Sequence, residues 1–192
     1  MCRAKLFNQK AASAKSKPDE VLKALDLKSG QRIADIGSGG GYFSLKFARA
    51  VGKDGQVSAV DTNSEYLDYV KKQAAKENLV NIKFLLISAA KPELPKEHFD
   101  LIFIRNVYHH LENRVELMKA YKEALKPGGR LAIIEYKPGL GFFNFRRLFG
   151  HNVPVKTIVE ELAQAGYQKI KEYDFLPEQS FAIFTLKQER NL

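Results

Sequence analysis

Two sets of residues in this chain have the types and spacing to do chemistry. The first is Gly37, Gly39 and Gly41, alternate glycines that follow the acid Asp35 and carry Ser38 between them. Glycine adopts φ > 0 without a Cβ clash and lets a ligand come close to backbone. A glycine turn that opens a helix also presents unpaired N–H groups, which favour a carboxylate or a phosphate. That combination is suited to a nucleoside-bearing ligand. The second set handles protons: Tyr108, His109 and His110 in succession, Glu135 beside Tyr136, and His151. Such groups supply the base that a poor nucleophile needs near neutral pH.

The elements that must position these residues follow from the hydrophobic pattern. Apolar strand-like runs lie at Arg32–Ile36, Gln56–Val60, Ile82–Ile87, Leu101–Ile104 and Arg130–Tyr136. Between them the apolar residues recur with helical spacing, as in Phe43, Phe47 and Val51, or Leu67, Val70 and Ala74. Pro18 marks a helix start before Val21, Leu22 and Leu25. Thr62 and Glu65 have the spacing of a capping box for the helix after Val60. A helix from Glu112 to Leu125 is expected to stop at Lys126-Pro-Gly-Gly129. Alternating strands and helices predict a parallel sheet covered on both faces. The chain then changes character: a helix over Val155–Ala165 precedes two strand-like runs, Lys169–Phe175 and Ser180–Leu186, which read as a hairpin added to the sheet edge. The expected organisation is a basic, flexible arm over 1–17, with Lys5, Lys10, Lys15 and Lys17, and a single domain over 18–192.

Composition narrows the classes. A chain of 192 residues suits one α/β domain with a sizeable core. Lys and Arg number 31 against 22 Asp and Glu, a formal net charge of +9 that favours acidic small molecules, nucleic acid or anionic lipid as partners. The basic residues are scattered, which also fits a plain solvated surface. The one cysteine, Cys2, excludes an internal disulfide framework and a cysteine-cluster metal site, and no metal is expected. No run of about 18 apolar residues predicts a membrane span. The start carries no signal-peptide core, so a reducing cytoplasm is the expected compartment.

The glycine spacing separates two nucleotide-binding patterns. A dinucleotide fingerprint G-x-G-x-x-G/A would place Tyr42 or Ser44 at its last position, and neither fits. The pattern present is D-x-G-x-G-x-G, from Asp35 to Gly41, which resembles motif I of the class I S-adenosylmethionine-dependent methyltransferases. Later segments match that family in order: Val57-Ser-Ala-Val-Asp61, His98-Phe-Asp-Leu-Ile-Phe103, Asn106-Val-Tyr-His-His-Leu111, and Leu125-Lys-Pro-Gly-Gly-Arg-Leu131. The likeness runs from about residue 18 to 187. It implies a three-layer Rossmann-like fold, a seven-stranded sheet of order 3-2-1-4-5-7-6, mostly parallel with one antiparallel strand. It implies S-adenosylmethionine as cofactor, with S-adenosylhomocysteine as product. Asp35 and the turn of Gly37, Ser38, Gly39 and Gly41 would hold its amino-acid part, Asp61 its ribose, and Thr62 would lie beside the adenine. Ser88, Ala89 and Arg105 complete the expected cofactor-binding set. Ser88 stands where the family usually carries an acid for the adenine amine. Exchanging that charged hydrogen bond for a neutral one costs about 1 kcal/mol.

The acceptor is less closely specified. Tyr108, His109, Glu135 and His151 are the catalytic candidates, on segments that reach the C-terminal edge of such a sheet. The segment from Pro138 to Phe149 concentrates phenylalanines with Arg146 and Arg147. It reads as a lid over the acceptor, as a contact with an anionic membrane surface, or as a buried connection. The preferred reading is methyl transfer to a small molecule by in-line displacement. The alternatives are an RNA or protein methyltransferase and a cofactor-binding regulator without chemistry. The acceptor atom, O, N, S or C, stays open.

Overall fold

The computed structural model describes residues 3–88, 93–138 and 152–187. Its centre is a seven-stranded sheet. The strands are β1 (Arg32–Ile36), β2 (Gln56–Asp61), β3 (Ile82–Leu86), β4 (Phe99–Arg105), β5 (Leu125–Tyr136), β6 (Tyr167–Tyr173) and β7 (Gln179–Leu186). Their spatial order is β3-β2-β1-β4-β5-β7-β6. β7 is antiparallel to both of its neighbours and every other pairing is parallel, so it alone is reversed. Order and reversal agree with the expectation.

The helices are α1 (Arg3–Ala11), α2 (Pro18–Leu25), α3 (Tyr42–Val51), α4 (Ser64–Lys76), α5 (Arg114–Ala124) and α6 (Val155–Gln164). Side chains alternate across the sheet, as strand geometry requires. Ile33, Leu101, Phe103 and Ile134 pack with α2, α3 and α4 on one face. Ala34, Ile102, Ile104 and Ile133 pack with α5 and α6 on the other. Burial on both faces explains why the central strands are nearly continuous apolar runs. β1 pairs with β2 and β4 in parallel register, Asp35 opposite Ala59 on one side and Phe103 on the other. The C-terminal ends of β1, β2, β4 and β5 therefore open onto one edge. Among the described residues, no helix is long and apolar enough to cross a membrane.

Three expectations need correction. Residues 3–11, expected to belong to a flexible arm, form α1, whose Ala4 is fully buried and Ala11 nearly so. Asn8 Oδ1 accepts the backbone N–H of Tyr42 at 3.2 Å, so α1 satisfies one of the open donors at the start of α3. The approach is close: a Cβ on Gly40 would lie 2.2 Å from both the Ala4 carbonyl oxygen and Asn8 Oδ1. Second, α4 is capped by Asn63, whose side chain accepts from the Glu65 backbone N–H at 2.9 Å, and not by Thr62. Third, β5 begins at Leu125, because Leu125 already pairs with Phe99. The register shifts before Arg130 pairs with Leu101, so Pro127-Gly128-Gly129 forms an irregularity inside the strand rather than a turn ahead of it.

Gly40→Ala tests the docking of α1. The added methyl has no room unless α1 moves away. Hydrogen exchange at residues 3–11 should accelerate by about tenfold or more while amides of β1, β4 and β5 keep their protection, the signature of local opening. Unchanged protection over α1 would show that this contact does not hold the helix.

Candidate active site

The sheet edge formed by β1, β2, β4 and β5 carries a cavity of about 580 Å³, roofed in part by α1. Its geometry starts at the turn after β1. The N–H groups of Gly37 and Ser38 both donate to the Val60 carbonyl, at 2.8 and 3.0 Å. The next N–H, from Gly39, donates to Asp61 Oδ2 at 2.9 Å. Asp61 closes β2, is buried, and also accepts from the Asn63 N–H at 3.0 Å. The turn is thus pinned to β2 by a carboxylate, in charge-assisted bonds that are stronger than neutral ones. Gly39 sits at φ +54° and faces the cavity, where a Cβ would be 3.2 Å from the Phe7 ring. Gly41, expected to touch cofactor, serves packing instead. A Cβ there would be 2.5 Å from Val70, and the residue does not line the cavity.

Two charged side chains project from the strands at this edge. Asp35 is buried, and burial pushes its carboxyl up from an ordinary 3.8 to about 6, partly offset by a 2.5 Å bond from Ser44 Oγ. Among the described residues, no cation lies within ion-pair distance of it. Arg105, at the end of β4, lies over the Phe43 ring at 5.3 Å and donates to Ser16 Oγ at 2.8 Å. Burial lowers its pKa, against the opposing influence of Tyr136, Asp35, Glu135 and Tyr42. Its Nε is buried and has no hydrogen-bond partner, and the same holds for Ser38 Oγ.

The proton-handling residues are drawn together from two strands. Glu135, near the end of β5, is fully buried. It accepts from the backbone N–H of Tyr136 at 2.7 Å and of His109 at 3.3 Å, and it meets His109 Nδ1 at 2.9 Å. Nδ1 therefore faces the carboxylate at ion-pair distance rather than in hydrogen-bond geometry. The His109 side chain is only 4% exposed and lines the cavity, with Tyr136 beside it.

Tyr108, a catalytic candidate from the sequence, is turned away. It belongs to a 3-10 turn, Tyr108–His110, in which successive side chains point roughly a third of a revolution apart. Its hydroxyl donates to Glu161 Oε2 at 2.7 Å, and Glu161 is held by Arg114 through two bonds of 2.8 and 2.6 Å. Burial and Glu161 push the phenol above its ordinary pKa. Tyr108 therefore fixes the turn to α6 and does not line the cavity.

Thr62 lines the cavity, whereas the nearest lining residue after β3 is Ile87 and Ser88 is exposed. Ala89, His151 and the segment 142–149 lie outside the described residues. The wall supplied by α1, with Phe7, Asn8 and Lys10, had no counterpart in the sequence reading. Its helical face is marked by Ala4, Asn8 and Ala11, small and polar residues that give little hydrophobic contrast.

The buried acid without a cation, the unpartnered Ser38 hydroxyl, the glycine cradle and the Asp61 carboxylate are donors and acceptors that fit S-adenosylmethionine. A methyltransferase-domain family matches residues 27–184 of the chain. The chain belongs to this family, and its domain is a class I S-adenosylmethionine-dependent methyltransferase domain. It is 30% identical over 125 residues to a ubiquinone/menaquinone biosynthesis C-methyltransferase of Psychromonas ingrahamii, covering 62% of this chain and 50% of that one. It is 34% identical over 111 residues to the corresponding enzyme of Pseudomonas putida, covering 57% and 43%. The chain thus spans about half the length of the curated relatives it matches. Its fold is shared with a SAM-dependent methyltransferase of Aquifex aeolicus, at a TM-score of 0.80 and 24% identity over 92% of this chain and 96% of that one.

Asp35 makes the site testable through stability. Between about pH 4 and pH 6 the folded protein holds a proton on Asp35 that the unfolded chain has lost. Stability from this group therefore falls as pH rises through that window and levels off above it. Asp35→Asn keeps an acceptor for Ser44 and removes the ionisation. At pH 8 its unfolding free energy in urea should exceed that of the parent by up to about 3 kcal/mol, while S-adenosylhomocysteine binds more weakly. Equal stability at pH 8 would mean that the buried carboxylate ionises at no cost.

Proposed function

We propose that this chain transfers a methyl group from S-adenosylmethionine to a small-molecule acceptor, and that His109 takes the acceptor's proton. The carrying observation is that His109, backed by the fully buried Glu135, lines the same cavity as the glycine turn. When bound, S-adenosylmethionine supplies an electrophilic methyl carbon on a sulfonium. Asp35 and Ser38 would hold its amino-acid end, and Asp61 its ribose. The chain's own part is placement and proton transfer. Glu135 orients the imidazole through Nδ1 and supports positive charge on the ring, so that Nε2 accepts a proton as the nucleophile develops. Buried walls from Ile36, Leu117 and Tyr121 keep water away from one side of the cavity.

This arrangement suits an acceptor whose nucleophile is released by losing a proton, such as a phenol or hydroquinone. Deprotonation there makes either the oxygen or a ring carbon nucleophilic. The names of the Psychromonas and Pseudomonas relatives, which are C-methyltransferases, favour carbon.

Calorimetry with S-adenosylhomocysteine should show saturable binding that Asp61→Ala weakens by about 1.5–3 kcal/mol. Turnover should be screened by mass spectrometry over phenols and hydroquinones. With an acceptor in hand, His109→Ala should lower the rate by about a hundredfold or more and leave S-adenosylhomocysteine affinity nearly unchanged. An undiminished rate in that variant would remove His109 as the base.

A further inference from the structure

A second cavity, of about 300 Å³, adjoins the first. Lys10, Arg105 and Tyr136 line both. Arg105 forms the partition: the ring beneath its guanidinium, Phe43, lines only the first cavity, while its acceptor, Ser16, lines only the second. A guanidinium carries five N–H donors. Here one bond reaches a neutral serine and Nε is buried with no partner. Among the described residues no carboxylate forms an ion pair with Arg105 or with Lys10. The acid in the second cavity, Glu178, is engaged by Lys15 at 2.5 Å. The junction thus brings together two cations and a phenol, and the carboxylates whose charge reaches Arg105, Asp35 and Glu135, form no ion pair with it. Leaving a buried cation without a counter-charge is unfavourable unless a ligand supplies one.

We propose that the junction of Lys10, Arg105 and Tyr136 binds an anionic group, a carboxylate or a phosphate, carried by the methyl acceptor. The acceptor then lies with its reactive part beside His109 and its acidic end at Arg105, reaching toward the second cavity. This specifies the substrate class within the reading above, and it rests on that reading. The assignment also changes the part given to Arg105, from holding cofactor to selecting acceptor. Lys10, on α1, makes that selection depend on the docked helix.

The test uses the full chain and three probes: phenylacetate, its uncharged counterpart phenylacetamide, and phenyl phosphate. Each is titrated with and without saturating S-adenosylhomocysteine. Phenylacetate, phenyl phosphate or both should bind about tenfold tighter than phenylacetamide, the scale of a charge-assisted bond added to a neutral one. Lys10→Gln and Arg105→Gln should each reduce that preference, and in the exposed Lys10→Gln variant S-adenosylhomocysteine affinity should stay within about twofold. Lys10 is exposed, so its variant leaves the buried core intact. Equal binding of the three probes overturns the proposal, as does a preference that survives both variants. A large loss of S-adenosylhomocysteine affinity in Arg105→Gln, with the probe preference unchanged, overturns it too and gives the anion to the cofactor's carboxylate. If S-adenosylhomocysteine does not bind the parent protein, the methyltransferase reading falls, and the titrations without it still decide the anion site.

Discussion

The Asp61 carboxylate accepts the N–H groups of Gly39 and Asn63, and most of the site is arranged around that contact. It joins the end of β2 to the turn after β1, so the turn has one position relative to the sheet edge. A turn fixed there fixes where α3 starts. The start of α3 in turn meets α1 through the Tyr42 N–H and Asn8. Each step is a short backbone-to-side-chain bond. Together they convert a parallel sheet, which has no cavity of its own, into an edge with a floor and a roof. Asp61 can do this and still meet a ligand, because a carboxylate has more acceptor positions than the two bonds use.

α1 differs in kind from the other helices. α3 and α5 bury large side chains such as Phe47 and Tyr121, whereas α1 buries Ala4 and Ala11. Alanines remove little apolar area from water, so the docking energy per residue is small. What α1 gains from them is closeness: Gly40 leaves no space between the helix and the turn. The helix then sets Phe7 edge-on to Tyr66, with ring centroids 5.5 Å apart, and Lys10 at the cavity wall. A wall held by small contacts can open more readily than the sheet beneath it.

These contrasts explain what could be read in the chain. The strands, the terminal hairpin and the turn were legible from dense local signatures, since buried strands are long apolar runs and the glycines sit at fixed intervals after Asp35, whereas the sheet order and the reversed β7 came through the family resemblance that those motifs carry. α1 was not legible, because its buried face is made of Ala4, Asn8 and Ala11 in a run rich in lysine. The cap of α4 went to Asn63 because its Oδ1 reaches the Glu65 N–H, a choice between adjacent residues that spacing alone does not make. Tyr108 and His109 are neighbours that point in different directions, and only the 3-10 turn decides which one faces the cavity. Glu135 was singled out by its place at the end of β5, but its contact with His109 depends on the 3-10 turn after β4, whose geometry the sequence does not specify.

The cavity holds charges of both signs that the fold keeps apart. Asp35 is restrained by Ser44, and Arg105 is restrained by Ser16 and the Phe43 ring. Had the two side chains met, each would have neutralised the other and the site would be an internal ion pair. Instead two neutral hydroxyls hold them, at the expense of stability, since neither hydroxyl offsets a buried charge as an ion would. A protein selected for stability alone has no reason to keep this arrangement. It is reasonable only if ligands bring the missing charges: a cation toward Asp35 and an anion toward Arg105. On the proposed reading those charges come from two different molecules. Binding both would then restore the electrostatic balance that folding leaves incomplete, and would bring the methyl donor and its acceptor to adjacent places beside His109.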